Sequence, residues 1–142
     1  MFYIIELLSN DLQELFDFVI DILSQHTTIS NIREKNGRWS ASTQYFRLSI
    51  YYDDDRKMFD KEDFDVNINT VLWFDVLQVS GYSQIIISLL KSIIKKYTSD
   101  IIVFNTGYDA LLVRKEDEIT LGESYIPLVK DIESKIMEDT SK

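Results

Sequence analysis

The residues in this chain with the most chemical potential are acidic. Seven carboxylates and three basic residues fall between Asp53 and Asp65, in the run "DDDRKMFDKEDFD". Hard cations bind clustered carboxylates, and "DFDVNINTVLWF" starts like a calcium loop with Asp63, Asp65 and Asn67. Its sixth residue is Ile68, where such a loop needs a turn-forming glycine, and its twelfth is Phe74, where it needs a bidentate glutamate. The spacing therefore argues against a metal site. The run reads as a solvated acidic loop able to contact a partner.

Other chemistries find less support. Paired carboxylates can hydrolyse glycosides without histidine or metal, and Asp75, on the same strand face as Trp73, is the one acid whose setting suggests burial. Buried polar groups are normally paired, so a hydrogen-bonded structural role is the plainer account of Asp75. His26, the single histidine, follows a helix, where the dipole favours a partly charged imidazole. No cysteine and no G-x-S-x-G serine stands ready for it to activate. The turn "FNTGYD" has one glycine and joins strand to strand, whereas a phosphate cradle needs several glycines between a strand and a helix. The residues imply no catalytic set, cofactor or metal.

These side chains need a scaffold, and the composition provides one. The 142 residues are 45% hydrophobic with four glycines and one proline, enough for one domain with a substantial core. The formal net charge of −9 repels phosphate backbones, so nucleic acid is not an expected partner. A basic protein surface is, because opposite fields steer association. The absence of cysteine fits the reducing cytoplasm. The apolar start "MFYIIELL" has no basic n-region and reads as a strand, not a signal peptide. "IIISLLKSII" is interrupted by Lys91 and too short to span a bilayer, so no membrane association is expected.

Along the chain, Asn10 and Gln13 have the spacing of a capping box, and a helix is predicted from about Asp11 to Gln25. Leu12, Leu15, Phe16, Val19, Ile22 and Leu23 form its apolar face. "KNGR" at 35–38 predicts a hairpin between strands near 28–34 and 38–52. After the acidic loop, "VNINTVLWFDVL" alternates as a strand with both faces substantially buried. Ser80 and Gly81 open a second helix with Ile85, Ile86, Leu89, Ile93 and Tyr97 as its stripe. Three short strands near 101–105, 109–114 and 118–121 make a meander. Pro127 begins a last helix, and the end is expected to fray from about 139. The order β-α-β-β-β-α-β-β-β-α predicts a single α+β domain over 1–142, a two-layer, mostly antiparallel sheet with helices packed on one face.

Residues 71–121 also carry a resemblance. The strand ending "WFDV", the helix "YSQIIISLLKSIIKKY", the junction "SDIIVFN" and the strands "ALLVRK" and "EITL" resemble the C-terminal half of the myxobacterial swarming-inhibition immunity protein family. Asp100 aligns with the family's acidic residue opening a strand, Phe104 and Asn105 with its "FN" before a turn, and Arg114 with its basic residue closing the next strand. The turn here, "NTGYD", is longer than the family's compact one. The resemblance implies a small non-enzymatic protein that neutralises a cognate polymorphic toxin delivered between competing bacteria, and it transfers no active site. On this reading the partner is a toxin domain with a basic surface. The expected contact residues are Tyr51, Tyr52, Asp53, Asp54, Asp55, Asp60, Glu62 and Asp63. The alternatives are an interaction or assembly module of phage or plasmid origin and, behind it, a small hydrolase using Asp75.

Overall fold

A computed structural model describes residues 2–77, 81–105 and 110–122. The described elements are β1 (Phe2–Leu7), α1 (Leu12–Ser24), β2 (Ser30–Lys35), β3 (Arg38–Ser42), β4 (Phe46–Tyr52), α2 (Asp54–Phe64), β5 (Thr70–Val76), α3 (Tyr82–Lys96), β6 (Ile101–Asn105), β7 (Ala110–Lys115) and β8 (Glu118–Leu121). The eight strands form one antiparallel sheet in the order β2-β3-β4-β5-β1-β6-β7-β8. The fold is thus α+β, as the pattern of elements predicts. The last helix predicted after Pro127 and the turn "TGYD" lie outside the described residues.

The apolar spacing explains the main core. On β1, Tyr3, Ile5 and Leu7 point to one face of the sheet, where they meet Leu15, Phe16 and Val19 of α1 and Ile86, Leu89 and Ile93 of α3. The two helices predicted from periodicity therefore share one face. β1 lies at the centre of the sheet, with β5 on one side and β6 on the other. Its opposite face carries a smaller cluster of Ile4, Val66, Ile68, Val71, Ile102 and Phe104. β5 accordingly buries Leu72 and Phe74 in one cluster and Val71 in the other, which accounts for its nearly continuous apolar sequence.

Local chemistry sets the boundaries. Asn36 and Gly37 both have positive φ, 54° and 78°, as a type I′ turn requires, so "KNGR" does close the hairpin of β2 and β3. The stretch predicted as one strand over 38–52 is two. Thr43 turns the chain, its Oγ1 accepting from the amides of Tyr45 and Phe46 at 3.0 Å each while its own amide donates to the Phe46 carbonyl at 2.9 Å. Asp11, not Asn10, caps α1 by accepting from the Glu14 amide at 3.1 Å.

The largest correction concerns residues 53–65. The segment predicted as a loop is helix α2, which lies on the sheet face opposite α1 and α3, since Phe64 packs on Phe104 and Arg56 reaches Glu6. Asp53 caps it, accepting from the Arg56 amide at 3.0 Å. Asp54 and Asp55 stand in the positive first turn and Lys61 in the negative last turn. Asp65 ends the helix in the left-handed conformation, φ 54°, and is bound by Lys61 at 3.1 Å and by Lys115 of β7. Those two lysines, Lys115 foremost, hold the Asp65 carboxyl below its ordinary range. Among the described residues no helix is long and apolar enough to cross a membrane.

Candidate functional site

Helix α2 gathers most of the predicted contact residues and sorts them into two groups. Asp54, Asp55, Glu62 and Asp63 are exposed, and Tyr52 beside the helix is 47% exposed. Asp55, Met58, Phe59 and Glu62 follow the spacing of one helical face. On that face Met58 is 66% and Phe59 63% exposed, so two large apolar side chains stand in water between acids. The sequence reading missed both, because in a polar loop they have no defined direction.

The remaining predicted residues are engaged within the fold. Asp53 is the helix cap. Tyr51 is half-buried beneath the Arg38 guanidinium, 4.1 Å from its ring centre. Asp60, predicted as a surface contact, is 2% exposed and faces the sheet. It does so because α2 turns Arg56 and Asp60, four residues apart, toward the same buried acid.

That acid is Glu6, which is fully buried on central strand β1. Its Oε1 accepts from Arg56 Nε at 2.5 Å. Its Oε2 and the Asp60 Oδ2 are both buried without a donor. Burial, helped by the neighbouring Asp60 carboxylate and opposed by Arg56, pushes the Glu6 carboxyl up to about 8. Burial on this strand therefore favours the protonated Glu6 carboxyl over the ionised one. The signal for Glu6 was present in "FYIIELL": one charge in an apolar run, at a parity that places it with Ile4.

Beside this triad, between α2 and the sheet, lies a cavity of about 670 Å³. Asp55, Arg56, Phe59, Asp60 and Asp63 line it from the helix; Phe2, Trp73 and Phe104 line it from the sheet. Phe2 and Trp73 stack with ring centres 4.6 Å apart, and Arg56 stands over Phe104 at 5.1 Å. Asp75, predicted to be buried, is exposed instead, and its Oδ1 accepts from Trp73 Nε1 at 2.9 Å. It sits near the strand end on the rim side of β5, where it orients the indole.

The residues that carry the family resemblance are held in the framework. Arg114 is 7% exposed and donates to the carbonyls of Ile94 at 2.7 Å, of Ser99 at 2.7 and 3.1 Å, and of Tyr97. Asp100 accepts from the amides of Asn67 at 2.9 Å and Glu116 at 3.2 Å. His26 is exposed just past α1. Among the described residues no three of histidine, aspartate or glutamate are placed to hold a metal ion. Comparison with protein-family models, with curated proteins and with solved structures gives no match.

Proposed function

We propose that the protein is an immunity protein, which binds a cognate bacterial toxin domain in the cytoplasm and neutralises it by direct contact through the outer face of α2. The observation that carries this reading is the placement of exposed Met58 and Phe59 among the exposed acids Asp54, Asp55, Glu62 and Asp63. Apolar side chains that a partner can cover supply binding energy at the centre of an interface, and surrounding charges supply orientation and rate. A net charge of −9 favours a basic partner surface. The resemblance of residues 71–121 to immunity proteins supports the choice of a toxin as that partner.

The test is co-expression with the product of the adjacent reading frame, followed by binding measurements on the purified pair. Phe59→Ala and Met58→Ala should each weaken binding about tenfold or more, with no change in thermal stability because both side chains are exposed. The triple variant Asp54→Asn, Asp55→Asn, Glu62→Gln should slow association and flatten its salt dependence. Asp53 is left intact to keep the cap, and circular dichroism of the triple variant checks that α2 survives the loss of the two first-turn acids. Affinity and salt dependence that survive all of these changes would remove α2 from the contact surface.

A further inference from the structure

We infer that the cavity beside α2 receives the guanidinium or ammonium head of an arginine or lysine side chain supplied by the protein partner. This rests on the reading above and names the chemistry of one contact within it. Three observations converge. The cavity, about 670 Å³, is within the range of ordinary ligand pockets, and it adjoins the proposed binding face because Phe59 belongs to both.

Its walls suit a cation and little else. Trp73, stacked on Phe2, offers an aromatic ring, while Asp53, Asp55, Asp60 and Asp63 offer carboxylates. Arg56 is the one basic residue in the lining among the described residues, and Glu6 already engages it. The Asp55 and Asp63 carboxylates make no hydrogen bond or ion pair among the described residues. An anion would meet four carboxylates, and a neutral ligand would leave them without counter-charge.

The third observation is the need for a donor at the inner wall. Asp60 is 2% exposed and its Oδ2 has no donor in the structure. A guanidinium or ammonium carries donors at every relevant pH and can meet that need. Arg56 shows how this region holds such a group, with its Nε on a carboxylate and its guanidinium carbon over the Phe104 ring. A partner's side chain would repeat that arrangement between the Asp60 and Asp63 carboxylates and the Trp73 ring.

The probe is N-acetyl-arginine amide, with N-acetyl-citrulline amide as the neutral isostere. The chain has two tryptophans, so Trp39→Phe, on the other side of the sheet, leaves Trp73 as the only indole to report binding by fluorescence. The arginine probe should give a saturable change and the citrulline probe none. Asp63→Asn should weaken the arginine response about tenfold, and Asp60→Asn should abolish it. Should Asp60→Asn fail to fold, exposed Asp63 still decides the matter. Equal responses to the two probes, no saturable response to arginine, or an arginine response untouched by Asp63→Asn would each overturn the assignment. Arginine binding without any toxin partner would sink only the immunity reading, whereas partner binding through α2 without arginine binding would sink only the cavity.

Discussion

Glu6 shows how one residue can link the centre of a sheet to solution pH. In the unfolded chain its carboxyl titrates near 4.5, and in the folded protein near 8. Between those values the folded state keeps a proton that the unfolded state has lost, so this residue's stabilising contribution is complete below about pH 4.5 and is lost as pH rises toward 8. Glu6→Gln should remove that slope. A glutamine carbonyl can still accept from Arg56 while its NH₂ donates to Asp60, so at pH 9 the variant should be about 1–3 kcal/mol more stable than the parent. Denaturant unfolding at pH 5, 7 and 9 checks this, and parallel slopes in the two proteins would contradict it. Single residues were legible in the sequence only when their surroundings were. Asp75 looked buried because alternation placed it with Trp73, yet it occupies the rim; Asp60 looked exposed because nothing local reveals that a helix turns it toward Glu6. Arg114 was visible as a basic residue closing a strand, but its role, closing the carbonyl end of α3, depends on a neighbour twenty residues earlier.

At the level of elements, α1 and α3 could be predicted because burial on one side imposes a 3.6-residue period on their apolar residues. α2 could not, since it buries little besides Asp60 and has no apolar stripe to betray it. Its existence rests instead on end effects: the Asp53 cap, two acids in the first turn, and Asp65 pinned by Lys61 and Lys115. Asp53→Ala should therefore cost about 1 kcal/mol and should speed amide exchange along α2 far more than in β1. Asp53→Ser should restore most of the protection; equal exchange rates in the parent and Asp53→Ala would show that tertiary contacts alone hold the helix. The edge strand β2 speaks to assembly. Every residue of it is exposed, which invites pairing with another sheet, but a register irregularity between Ser30 and Arg33, positive φ at Asn31 and the charges of "REK" all disfavour strand addition.

For the molecule as a whole, the α+β class was legible because strand periods, turn residues and two amphipathic helices agreed with one another. Strand order was not, because hydrophobic pattern says which face a strand buries and nothing about its neighbours. The order found, with β1 between β5 and β6, has a consequence for synthesis. β1 must wait for partners that follow it in the chain, at residues 70–76 and 101–105. At about 5–20 residues per second, a nascent chain would carry β1 with open edges for roughly 5–20 seconds before β6 emerges. Ribosome-stalled chains in which β6 has not yet emerged should thus be digested rapidly by protease, with resistance appearing abruptly once β6 is out. Gradual protection starting from the β2–β3 hairpin would argue against this order of events. Until that late closure, "FYIIELL" is an apolar segment with an open edge, and the charge of Glu6 within it then acts as a solubilising gatekeeper during translation, before it becomes a buried acid.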